Sequence, residues 1–183
     1  MSYIGKALMI GDPSVGKTSI LAQYVDDIFL EGYNQTIGAN FLIKEIDLIE
    51  IIEEINVTEE FKKDIKEKGL RLYFWDLGGQ ADKLFLSQYY FDQAVGAMVV
   101  FNVNNESSFD SIDFWISKVK ELSGDIPFVI VGNKSDLKKT VDQNKIEEKV
   151  SYYGVEYFET SAKHNVNIDK AFHNLSIQIL NHF

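Results

Sequence analysis

The sequence predicts an α/β protein built on a six-stranded, mostly parallel sheet flanked by about five helices. Two patterns carry that prediction. Short apolar runs recur at Ala7–Ile10, Phe41–Leu48, Leu70–Trp75, Ala97–Phe101, Phe128–Val131 and Tyr157–Phe158. Several are apolar on both faces, as strands covered by helices on each side must be. Between them lie stretches with apolar residues three and four apart, the spacing of an amphipathic helix. One runs through Ile20, Leu21, Tyr24 and Val25, another through Phe109, Ile112, Trp115, Ile116, Val119 and Leu122, and the last through Ile168, Ala171, Phe172, Leu175 and Leu180. In such a sheet ligands bind beyond the carboxyl ends of the strands, so the loops that follow the strands are where chemistry is to be sought.

At 183 residues the chain fits one domain, 1–183, and 45% hydrophobic residues supply a packed core. Its 28 acids against 18 bases leave a net charge of −10, which argues against nucleic acid as a main partner because both surfaces would repel. The absence of cysteine excludes disulfides, thiolate metal sites, a cysteine nucleophile and S-linked lipid. No apolar run approaches the roughly 18 residues needed to cross a bilayer. The first residues, Met1-Ser2-Tyr3-Ile4-Gly5-Lys6, carry neither a myristoylation glycine nor the apolar core of a signal peptide. The expectation is a cytoplasmic chain without a lipid anchor, reaching a membrane only through a partner or a lipidated tail outside this sequence.

One stretch, residues 49–69, interrupts the rhythm between the second and third strands. Its first half mixes isoleucine and glutamate. Its second half has the marks of a short helix: Thr58 to cap it, Glu59 and Glu60 at the positive end, Lys66 and Lys68 at the negative end, and Gly69 to stop it. Phe61 and Ile65, four apart, can anchor one face. The segment reads as an insertion in a hairpin extension, either solvated or built to meet a partner.

The first strand runs into Gly11-Asp12-Pro13-Ser14-Val15-Gly16-Lys17-Thr18, followed by helical Ser19–Val25. This is G-x-x-x-x-G-K-[ST] in the strand–loop–helix setting that gives the motif meaning. Backbone N–H groups of such a loop line a concavity, and the helix N-terminus adds donors and partial positive charge. Asp12, Pro13, Ser14, Val15, Gly16, Lys17, Thr18 and Ser19 are therefore candidate phosphate-binding residues, although Pro13 has no N–H to donate. Lys17 can reach the β- and γ-phosphates, and the Thr18 hydroxyl can ligate Mg²⁺.

That motif alone does not separate a kinase, an ATPase and a GTPase. After the third strand stands Trp75-Asp76-Leu77-Gly78-Gly79-Gln80. Asp76 can hold Mg²⁺ opposite Thr18, Gly79 lets an N–H approach a γ-phosphate, and Gln80 can orient an attacking water. After the fifth strand comes Asn133-Lys134-Ser135-Asp136. A carboxylate at Asp136 accepts from N1–H and the exocyclic amine of guanine, a donor pair that adenine lacks, and would be left unpaired by adenine. The Lys134 stem can lie against the base, and Asn133 can tie the loop together. Thr160-Ser161-Ala162-Lys163, after the sixth strand, offers backbone donors to the guanine carbonyl.

Through these motifs the chain resembles a small GTPase of the Ras superfamily, closest to its Rab branch, over nearly its whole length. The residues that carry the likeness are Gly-Asp-x-Ser-Val-Gly-Lys-Thr-Ser at 11–19, Thr36-Ile37-Gly38-x-x-Phe41, Trp75-Asp76 and Gln88-Tyr89-Tyr90. The resemblance implies a P-loop NTPase fold and a molecular switch that binds GTP and hydrolyses it slowly to GDP with Mg²⁺, using Lys17 and Gln80 in catalysis. It also implies that Thr36 joins Thr18 and Asp76 at the metal, that Phe29 meets the guanine edge-on, and that Tyr33 closes over the phosphates. Protein effectors, an exchange factor and a GTPase-activating protein are the partners it implies. Phe41, Trp75 and Tyr90 match an aromatic effector-binding trio, or are ordinary core.

The sequence departs from the Rab pattern in places. Leu77-Gly78 resembles the Arf version of the second switch, Ala81 replaces a glutamate, Asp92 stands where an arginine is usual, and the insertion at 49–69 is extra. These departures keep open an alternative, a nucleotide-binding interaction module without significant turnover.

Overall fold

The computed structural model describes residues 2–29, 39–46, 51–78 and 88–183. Six strands form one sheet: β1 Tyr3–Ile10, β2 Ala39–Ile46, β3 Leu70–Leu77, β4 Ala94–Asn102, β5 Phe128–Asn133 and β6 Tyr157–Glu159. Their order is β2-β3-β1-β4-β5-β6. Every pairing is parallel except β2 with β3, which run antiparallel in full register from Ala39 opposite Leu77 to Ile46 opposite Leu70. The helices are α1 Lys17–Asp26, α2 Glu59–Lys68, α3 Gln88–Phe91, α4 Glu106–Asp110, α5 Ile112–Ser123, α6 Gln143–Tyr153 and α7 Ile168–Asn181. Two of them, α3 and α4, are too short to leave a periodic apolar signal in the sequence.

The alternation of side chains across the strands divides the core in two. Ala7 and Met9 of β1 join Ile20 and Leu21 of α1 and Phe172, Leu175 and Ile179 of α7 on one face. Leu8 and Ile10 join Phe91 of α3 and Trp115, Ile116 and Val119 of α5 on the other. The chain leaving β1 therefore turns to the first face through α1, while the chain leaving β4 turns to the second through α4 and α5. Such a divergence between neighbouring strands opens a crevice at their carboxyl ends, where the loop after β1 lies.

Several strands run longer than the apolar runs suggest. β1 begins at Tyr3 because Tyr3–Lys6 pair with Leu70–Tyr73, and backbone pairing does not require apolar side chains.

The inserted segment corrects an expectation. The helix forms as its ends predict, with the Thr58 hydroxyl accepting from the Phe61 N–H and Gly69 closing it. The segment is not, however, a solvated extension. Ile51, Ile52, Ile55 and Ile65 are each at most 3% exposed and belong to the same core as Phe172 and Ile179. The Asn56 N–H donates to Asn181 Oδ1 at 2.6 Å, and Glu54 meets His173 Nε2 at 2.9 Å, both on α7. On β1, the Tyr3 hydroxyl donates to Asp64 and the Tyr3 ring meets Phe61 edge-on at 5.7 Å. The physical reason is burial of apolar surface, worth about 1.5–3 kcal/mol for each fully buried isoleucine. Its receiving face is more than a hundred residues away in sequence, beyond the reach of any local pattern.

Candidate functional site

The loop between β1 and α1 is shaped by left-handed backbone at Ser14 (φ 64°) and Gly16 (φ 100°), turns of the kind that make successive N–H groups converge on one point. Gly16 is also the N-cap of α1, so the positive end of that helix faces the same point. Lys17 is 6% exposed and its ammonium donates to the carbonyls of Gly11 and Asp12 at 2.8 and 2.9 Å. Beside it the Thr18 hydroxyl donates to Asp76, a fully buried carboxylate at the end of β3. A hydroxyl and a carboxylate in contact are an oxygen donor pair of the kind a hard divalent cation takes, so Thr18 and Asp76 fit Mg²⁺.

The β5 loop is bound to this one through Asn133, which is 1% exposed. Its Nδ2 donates to the Val15 carbonyl at 2.9 Å, and its Oδ1 accepts from the Thr160 hydroxyl at 3.1 Å and the Ala162 N–H at 3.3 Å. One side chain thus fastens the phosphate loop to both loops that follow β5 and β6. Lys134 adopts φ 66°, and its stem passes 3.9 Å from the point where a side chain on Gly16 would begin. Asp136 stands at the surface with Oδ1 accepting from the Ser161 hydroxyl at 2.6 Å. Burial works against its charged form. The Ser161 hydroxyl, its own backbone N–H and the nearby His164 and Lys163 outweigh that effect, holding the carboxyl below its ordinary value.

Phe29, after the end of α1, is 37% exposed. Two residues earlier, Asp27 Oδ1 accepts from Gln23 Nε2 at 2.6 Å and from Asn165 Nδ2 at 3.3 Å. Asn165 belongs to the loop of Ser161, Ala162 and Lys163, so the end of α1 is tied to that loop. The arrangement can hold a polyphosphate at one end, a planar base with adjacent N–H donors at the other, and a cation between phosphate loop and β3.

Comparison with known proteins agrees with this geometry. The Ras family model matches residues 6–181. The chain is 35% identical to the Ras-related protein Rab-8A of Bos taurus over 180 residues, 97% of this chain and 79% of the relative. It is 34% identical to Rab-8B of Homo sapiens over 181 residues, with the same coverage. The chain belongs to the Ras family of small GTPases.

As a Ras-family, Rab-like GTPase it is a GTP-binding switch that hydrolyses GTP to GDP and works with protein regulators and effectors. Among the described residues, no helix is long and apolar enough to cross a membrane. Tyr33, Thr36, Gly79 and Gln80 lie outside the described residues, as does the side chain of Phe41. The Trp75 and Tyr90 rings lie 5.6 Å apart, both partly buried against the α5 side of the core.

Sequence reading missed three contacts of this GTPase. Ser161 acts through its hydroxyl on Asp136 as well as through its backbone. Thr160, fully buried, orients Asn133. The Asp12 carboxylate accepts from Trp115 Nε1 and the Ser111 hydroxyl, both at 2.8 Å. The hydroxyls of Thr160 and Ser161 were the only sequence signal for the first two; nothing local signals the pairing of Asp12 with a residue on α5.

The Lys17 ammonium has a consequence for pH. Burial pushes it down from its ordinary value, opposed by the charges of Asp76 and Asp12, to about 8. A lysine depressed in the fold destabilises the nucleotide-free protein below that value, and the penalty fades as pH rises from about 8 toward 10. A phosphate stabilises the ammonium form, so binding takes up a proton in the same range. GDP affinity is expected to fall by up to about tenfold per pH unit above pH 8. Titrations with GDP at pH 7, 8 and 9 check this, and a flat profile would contradict it.

Proposed function

We propose that this chain is a slow GTPase switch whose phosphate loop is Asp12–Ser19 and whose base site is Asn133, Lys134, Asp136 and Ser161–Lys163. The observation that carries the reading is the Asn133 side chain, which joins the phosphate loop to the two loops expected to hold guanine. Lys17 and the loop's backbone donors stabilise negative charge on the β- and γ-phosphates, and Gln80 orients the water that attacks the γ-phosphorus. Mg²⁺, held by Thr18, Thr36 and Asp76, would neutralise charge on the phosphate oxygens. Thr36 and Gly79 hold two switch loops to the γ-phosphate and release them after cleavage, so effectors distinguish the two states. Phe29 and Tyr33 cover base and phosphates. The whole of 1–183 is one G domain, with 49–69 an insertion in it, and the protein acts in the cytoplasm.

Hydrolysis by the isolated protein is expected to be slow because no arginine can reach the transferred phosphate. The single arginine, Arg71, is half exposed, pairs with Glu45 at 3.9 Å and lies opposite it in register near the start of β3. Five residues at about 3.3 Å separate it from Asp76, roughly 16 Å along a packed strand. An arginine on the transition-state charge contributes about 10³–10⁵ in rate, so turnover without a partner should be on the order of 10⁻³ s⁻¹ or below. Arg71→Ala should leave it nearly unchanged. Single-turnover hydrolysis with purified protein decides: a rate near one per second refutes this account. No measurable cleavage favours instead the non-hydrolysing module suggested by Leu77, Gly78 and Ala81.

A further inference from the structure

The carboxylate of Asp12 is held at both oxygens from outside the phosphate loop. The indole N–H of Trp115 donates to Oδ1 and the hydroxyl of Ser111 to Oδ2, each at 2.8 Å. Both donors belong to one element, since Ser111 is the N-cap of α5 and Trp115 lies one turn further on. Trp115 is 1% exposed, and a buried indole N–H needs an acceptor. Here that acceptor is the only acid of the loop. The backbone of the same residue supplies a carbonyl that receives Lys17. Asp12 is thereby fixed at its side chain by α5 and at its main chain by the lysine.

A carboxylate in a loop that binds polyphosphate is a hazard if it can turn inward. Like charges a few ångströms apart in a partly buried site repel strongly. A freed carboxylate would also offer the Lys17 ammonium a partner in competition with the phosphates. We infer that Trp115 and Ser111 are positioning residues for the nucleotide. They act through Asp12, keeping its charge away from the phosphates and off Lys17, and so govern how long GDP and GTP stay bound. The inference rests on the assignment of Asp12–Ser19 as the phosphate loop.

The test follows release of GDP carrying a fluorescent ribose label from the full chain, chased with unlabelled GDP. Trp115→Phe keeps an aromatic ring in the core and deletes the donor together with part of the indole's packing. Combined with Ser111→Ala it should speed release about tenfold, only part of the worth of two hydrogen bonds to a charged group, because Asp12 acts on the nucleotide indirectly. Adding Asp12→Asn to that background should slow release again by at least about threefold relative to the double variant, because no charge remains to be misplaced. A packing role alone would leave release fast after that third change. Parental release from the double variant, or fast release that Asp12→Asn does not reverse, overturns the inference. Should Trp115→Phe fail to fold, Ser111→Ala alone, expected to speed release about threefold, and its reversal by Asp12→Asn decide in the same way. A parent that retains no GDP would sink the phosphate-loop assignment as well, whereas a GDP-binding parent with unaltered variants sinks this inference only.

Discussion

Asp136→Asn is expected to lower GTP affinity by about 10²–10³-fold, roughly 3–4 kcal/mol, the loss of two hydrogen bonds to a charged acceptor. The carboxylate is at the surface, its Oδ1 is set by the Ser161 hydroxyl, and its charged form is favoured in the fold. It is ready to take N1–H and the exocyclic amine of guanine. An asparagine there presents an NH₂ group to one of those two donors, so one favourable contact becomes repulsive. Xanthosine triphosphate carries a carbonyl where guanine carries its amine, and that carbonyl accepts from the new amide. The variant should therefore bind xanthosine triphosphate more tightly than GTP, measured by calorimetric titration of each nucleotide. An unchanged affinity for GTP would remove Asp136 from the base site.

Gly16→Ala should have a comparable effect by a different route. At φ 100° the residue sits in backbone space that a side chain disfavours. A Cβ there would stand 2.3 Å from Asn133 Nδ2, far inside contact distance. Room can be made only by moving the Asn133 amide, which gives up its bond to the Val15 carbonyl and disturbs those to Thr160 and Ala162. Because that one side chain joins the three loops, phosphate and base contacts should fail together, lowering GDP affinity at least about 100-fold. Fluorescence titration with labelled GDP measures this, with circular dichroism to verify the fold. Near-parental affinity would mean that Asn133 is not a fixed tie.

The parts of this site that were legible in the sequence are those whose chemistry is local. Gly11–Thr18 carries the proposed phosphate loop within eight consecutive residues, and Asn133–Asp136 the proposed base-reading loop within four, because each needs backbone curvature and side chains at fixed short spacing. The strands and the helices α1, α2, α5 and α7 were legible for the same reason, since period two and period 3.6 are properties of neighbours, whereas α6, with only Ile146 buried, was not. Whatever depends on distant partners was not. Ile51, Ile52 and Ile55 among glutamates look like a solvated segment until α7 arrives to cover them. Trp115 and Ser111 look like one more turn of a core helix and its cap until Asp12 is found against them, some hundred residues earlier. Ser14 and Lys134 gave no sign of their left-handed backbone, which the closure of their loops imposes on residues that do not favour it.

The packing of the inserted segment has a mechanical corollary. β2 and β3 are joined beyond Ile46 and Leu70 by chain that is fastened into the core beside α7 and onto β1. Sliding this pair along β1 by two residues, the smallest step that keeps each side chain on its own face, means a travel of about 7 Å. Such a travel would drag Ile51, Ile52, Ile55 and Ile65 from their places. The pair is therefore keyed at its Ile46–Leu70 end, and β3 is held along β1 as far as Asp76 opposite Met9. Its other end, at Ala39 and Leu77, lies beside Asp76 and Thr18. The register of the sheet's antiparallel edge is thereby locked from the end remote from the phosphate loop.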